Sequence, residues 1–136
     1  MKDCTKFQDG ALTLLRLVVG SIFIYAGYAK WFIWSAPMEG MTPFMINLTK
    51  FLSIVEPLGG AALILGFLTR WAAGGLAIIM AGSLYFVYTM YWNGYFTGMQ
   101  GTGMDYNVLL LSGSVILAAF GAGCLSIDAF CCKKKK

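Results

Sequence analysis

Histidine is absent from this chain of 136 residues, and with it the commonest protein ligand of haem iron, copper and zinc and the side chain that most readily moves protons near neutral pH. Charge is scarce: 12% of residues are Asp, Glu, Lys or Arg, against 59% hydrophobic. That is too little charge to coat a water-soluble globule of this length. The four cysteines, Cys4, Cys124, Cys131 and Cys132, form no C-x-x-C pair. Nor does the chain carry a nucleotide-binding loop, a catalytic triad or a cluster of metal ligands. The expectation is an integral membrane protein with no metal site and no covalently bound cofactor, in which any redox centre is borrowed or unusual.

What is present is apolar length. Residues 11–34, 49–68, 71–92 and 108–127 are each long enough, at ~1.5 Å per helical residue, to cross most or all of a ~30 Å hydrocarbon core. They predict an all-α fold, an antiparallel four-helix transmembrane bundle making one domain of residues 1–136. Thr69-Arg70 is the tight turn between the second and third spans, and Pro37 and Pro43 interrupt the helix before the second. Eight of the basic residues, Lys2, Lys6, Arg16, Arg70 and Lys133 to Lys136, then fall on one side, and Lys30 and Lys50 on the other. That asymmetry predicts cytoplasmic N- and C-termini. A lysine run beside a span sets topology or touches anionic lipid, so the lipid bilayer is an expected partner and nucleic acid is not. Arg16 and Arg70 are expected to reach head groups or to pair with Asp9 and Asp128. Cys131 and Cys132 are expected as reduced thiols, with acylation as the functional alternative.

The chemistry concentrates at Glu56. A carboxylate inside an apolar run is costly in hydrocarbon and calls for a partner. Pro57 loosens the helix beside it, while Gly59 and Gly60 let another helix approach closely. In the first span Arg16, Gly20, Phe23, Gly27 and Lys30 recur at steps of three and four, which places both charges and both glycines on one stripe. Lys30 and Glu56 lie at similar depth and are the expected pair. Two readings are open. The pair is a buried lock that fixes helix register, or it belongs to a polar pocket rimmed by Tyr25, Tyr28, Asp105 and Tyr106 that holds a quinone head group or moves a proton. Met38, Met41 and Met45 add a third possibility, thioethers presented to copper(I), against the plainer reading of one apolar face on a short interfacial helix.

Taken in order, Leu15-Arg16-Leu17-Val18-Val19-Gly20, Gly27-Tyr28-Ala29-Lys30, Glu56-Pro57-Leu58-Gly59-Gly60, Leu63 through Arg70, Asp105-Tyr106-Asn107 and Leu125-Ser126-Ile127-Asp128 resemble the DoxX family of small four-span membrane proteins. Where members often carry a histidine before the first-span glycine, this chain has Ala26. The resemblance implies a prokaryotic inner-membrane protein and a subunit of a redox complex, quinone-linked and tied to the oxidation of sulfur compounds, working with other membrane subunits. The alternative is a scaffolding subunit with no chemistry of its own.

Overall fold

The stripe of Arg16, Gly20, Phe23 and Gly27 is buried along the first helix, α1, Lys6–Ala29. The computed structural model describes residues 6–36, 40–90, 104–123 and 126–133, and among them every regular element is helical. A short 3-10 turn, Trp31–Trp34, follows α1. Then come α2 (Pro43–Leu65), α3 (Thr69–Met90), α4 (Asp105–Phe120) and a short α5 (Ile127–Lys133). Helix α1 packs along α2, α2 on α3, α3 on α4, and α4 closes on α1. Val19, Phe23, Leu63, Ala73, Leu76, Met80, Leu110 and Leu117 form the shared core.

Large apolar side chains also cover the outside, among them Leu14, Leu58, Ile78, Leu109 and Phe120. Helices apolar on both faces suit a bilayer, where lipid takes the place of water. Residues 7–34 and 43–65 are each long and apolar enough to cross a membrane by length and composition, and α4 is a shorter apolar helix.

Local chemistry moves several boundaries from those expected. Pro43 starts α2 rather than interrupting it, because its fixed φ and missing N–H suit the first helical position, and the Thr42 hydroxyl accepts the Met45 N–H at 3.3 Å. Gly66 ends α2 in the left-handed region (φ 69°, ψ 36°). There Gly66 N–H bonds the Leu63 carbonyl at 3.1 Å and Phe67 N–H the Ala62 carbonyl at 3.0 Å, a Schellman close. The turn is therefore 66–68, and Thr69 and Arg70 already belong to α3. Gly121 (φ 81°, ψ −161°) stops α4 at Phe120, well short of residue 127, since that backbone region is open essentially to glycine alone. At 16 residues α4 rises ~24 Å, less than a hydrocarbon core.

Two charged side chains cross-cap the helices at this end. The Asp128 carboxylate accepts the N–H groups of Leu68 (2.8 Å) and Thr69 (2.9 Å), while its own N–H bonds the Gly66 carbonyl at 2.9 Å. It satisfies orphan donors at the start of α3 and holds Leu68 at φ 47°, a conformation a leucine seldom adopts. Arg70 donates Nε and Nη2, each at 3.0 Å, to the carbonyls of Ala118 and Ala119 at the end of α4. Arg70 thus serves backbone carbonyls rather than an acidic side chain, and Asp128, which also acts on Arg16, caps backbone amides. Replacing Asp128 by alanine is expected to cost about 1–2 kcal/mol, the usual range for a lost cap. Amide exchange should quicken at residues 68 and 69 and stay unchanged at the Lys30 end of α1; equal protection at 68 and 69 in the variant would disprove the capping role.

Candidate functional site

At the opposite end of the bundle Lys30 Nζ lies 2.5 Å from Glu56 Oε2 and 3.2 Å from the Ala26 carbonyl. The Glu56 side chain is 2% exposed and that of Lys30 30%. The pair therefore has a sealed end and an open one. What sets them face to face is the contact between α1 and α2. A Cβ at Gly20 would stand 2.7 Å from the Gly60 carbonyl oxygen, one at Gly60 2.5 Å from the Gly20 carbonyl oxygen, and one at Gly27 would overlap Pro57. Three glycines thus bring two backbones together and carry Lys30 onto Glu56.

Pro57 shapes the neighbouring contacts. Without an N–H it cannot bond the carbonyl four residues back, that of Ser53. A buried carbonyl must find a donor elsewhere, and Trp31 Nε1 supplies it at 3.2 Å. The Ser53 hydroxyl, fully buried, donates to the Lys50 carbonyl at 2.7 Å and accepts Trp34 Nε1 at 3.1 Å. Lys50 Nζ sits 5.1 Å from the centre of the Trp34 ring, a cation–π contact. Trp31, Trp34 and Ile54 line an open cleft of about 300 Å³. Neither tryptophan was among the residues expected at this site. The missed signals were Ser53 three residues before Glu56 on one helix face, and the acceptor that any proline inside a helix frees.

The remaining candidates divide. Tyr106, in the first turn of α4, is within electrostatic reach of Glu56, and Asp105 is its partly buried neighbour. Tyr25 and Tyr28 turn outward, 72% and 67% exposed, so they do not rim a pocket with Glu56; the Tyr28 ring instead stands 6.0 Å from that of Trp31. Gly60 faces α1, while Gly59 faces Leu76 of α3. Arg16 is 2% exposed and does not reach for head groups. Met41 precedes the Thr42 cap and Met45 lies in the first turn of α2, so they do not share a separate short helix; Met38 lies outside the described residues. No group of three or more Cys, Asp or Glu side chains suited to a metal occurs among the described residues.

Comparison with known proteins agrees with the helical membrane reading. The family model described as DoxX matches residues 11–89. "Inner membrane protein YqjF" of Escherichia coli (strain K12) is 27% identical over 95% of this chain and 98% of its own length. "Putative oxidoreductase CatD" of Bacillus subtilis (strain 168) is 32% identical over 96% of this chain and 92% of its own. No solved structure matches.

Proposed function

Since the chain belongs to the DoxX family, we propose that it is a four-span inner-membrane subunit of a quinone-linked redox complex, and that the Lys30–Glu56 pair is where it meets the quinone head group. The observation that carries this is the asymmetry of the pair, a buried carboxylate and a partly open ammonium, with a cleft lined by two tryptophans of the turn that follows Lys30. A quinone ring is flat and apolar with carbonyl acceptors at its edge, so it asks for a planar apolar slot and a nearby donor, and the residues present fit that demand. When bound, such a ring supplies a two-electron, two-proton couple. Lys30 would donate a hydrogen bond to a ring carbonyl, Trp31 and Trp34 would hold the ring plane and keep water off it, and Glu56 would hold or release a proton behind Lys30. The electron donor belongs to another subunit. A name of oxidoreductase on one relative supports the class and nothing finer.

The test is a titration of the purified protein with a short-chain quinone, read by tryptophan fluorescence. Saturable quenching that disappears in Lys30→Met is the expected result. Linear quenching, the same in both proteins, would sink the quinone site. The orientation proposed here follows the basic residues, with the Lys30 end outside and both termini in the cytoplasm. An impermeant thiol reagent applied to intact cells should modify a cysteine placed at Gly101 and spare Cys4; the reverse pattern overturns it.

The hydrogen bond from Lys30 to the Ala26 carbonyl, one turn back on its own helix, favours a second reading in which the pair only locks α1 against α2. On that reading the protein is a scaffold for other subunits.

A further inference from the structure

The end of the bundle far from Glu56 holds a second buried polar cluster. Arg16 is 2% exposed, and Thr69 and Ser114 are 0% exposed. They come from three helices, α1, α3 and α4. A Cβ at Gly113 would lie 3.0 Å from Val19 Cγ2 and 3.6 Å from Leu15 Cδ1. Ser114 therefore stands beside the turn of α1 whose inward residue is Arg16. A Cβ at Gly66 would overlap Arg16 Nη1, so the turn leading into Thr69 reaches the same guanidinium. Arg70, holding the carbonyls of Ala118 and Ala119, fixes the start of α3 about one helical turn, ~6 Å, from the level of Ser114.

In this setting neither the Thr69 hydroxyl nor the Ser114 hydroxyl has a hydrogen-bond partner among the described residues. A hydroxyl within a helix ordinarily turns back to a carbonyl three or four residues earlier. Ser112 does so on this same helix, to Val108 at 2.8 Å, and Thr89 does so to Tyr85 at 3.0 Å. Ser114 does not. The Thr69 N–H is taken by Asp128, but its hydroxyl is left over. Arg16 meanwhile feels the Asp128 carboxylate, so its charge is answered, and what the two hydroxyls lack among the described residues is a partner able both to donate and to accept. Between this cluster and Glu56 lie Phe23, Leu63, Leu76 and Leu110, one from each long helix and all buried.

We propose that Arg16, Thr69 and Ser114 enclose bound water, a small internal hydration site independent of whatever the Lys30–Glu56 pair does. Buried waters bridge such groups with about three hydrogen bonds each and are costly to remove. Two variants that preserve shape, Thr69→Val and Ser114→Ala, make the sign of the effect the test. With water present, each deletion strips a bond from a buried solvent molecule, and the detergent melting temperature falls by several degrees. In a dry site, each removes a hydroxyl that was destabilising the fold, and the melting temperature rises. A rise overturns the proposal. Should either variant fail to fold, water-to-amide magnetisation transfer in the wild-type protein decides instead. Transfer at residues 69 and 114 but not at 63 and 110 supports the site, and its absence at all four overturns it.

Discussion

Lys30→Met lowers the detergent melting temperature more than Glu56→Gln does, and the double variant recovers much of the loss. The inequality follows from exposure. With its side chain 2% exposed, Glu56 has nowhere to take its charge once Lys30 is gone. Lys30, at 30%, can swing its ammonium outward along a flexible stem when Glu56 is neutralised. Removing one partner of a buried pair costs on the order of 3–5 kcal/mol, whereas removing both is often close to neutral. Equal losses that simply add would mean that the pair contributes no coupling. The same variants bear on mechanism. A stable double variant that cannot bind quinone leaves the pair in the chemistry, and one that binds normally leaves it as a lock on helix register.

The larger effect is expected at Gly60. Alanine there would place its Cβ 2.5 Å from the Gly20 carbonyl oxygen, and the obstacle is backbone, which has no rotamer to escape into. Helices α1 and α2 must move apart, taking Lys30 from Glu56 and Trp31 from the Ser53 carbonyl in one step. Overpacking of a core costs typically 1–3 kcal/mol, and here the loss of those polar contacts adds to it, so Gly60→Ala should leave little folded protein in detergent. Gly74→Ala and Gly82→Ala are the controls. Nothing stands within 4 Å of a Cβ at either, and replacing a helical glycine improves propensity by up to ~1 kcal/mol. If Gly60→Ala melts where Gly74→Ala does, the close approach of α1 and α2 is wrong.

Much of this was legible in the residues because the constraints are local or periodic. The stripe from Arg16 to Lys30 repeats at helical spacing and is buried as that spacing requires, and the pairing of Lys30 with Glu56 follows from depth and the cost of a lone charge. Helix ends were less legible. Pro43 is a breaker or a starter depending on whether a cap precedes it, and hydropathy alone does not register Thr42 in that role. Gly121 looks like any glycine of an apolar run until its φ is known. The carbonyls that Arg70 holds and the amides that Asp128 caps were out of reach for another reason: both are backbone groups, which have no identity in a sequence. Tyr25 and Tyr28 failed as pocket residues because nearness to a stripe does not fix which way a ring faces.

Asp128 stands sixty residues beyond the Leu68 amide it caps. At translation rates of about 5–20 residues per second, the start of α3 waits ~3–12 s for its partner to be made. In the hairpin of α1 and α2 the glycine contacts to Gly20 and Gly60, the ion pair and the tryptophan bonds all fall within residues 20–64, while the charge of Arg16 waits for Asp128. Assembly in the membrane is therefore staged. The Lys30 end of the first hairpin precedes a second half whose opening turn, with Leu68 in its unfavourable conformation, closes only when Asp128 arrives. A nascent chain cut short before residue 128 would keep the Lys30–Glu56 pair and lack the latch at the other end.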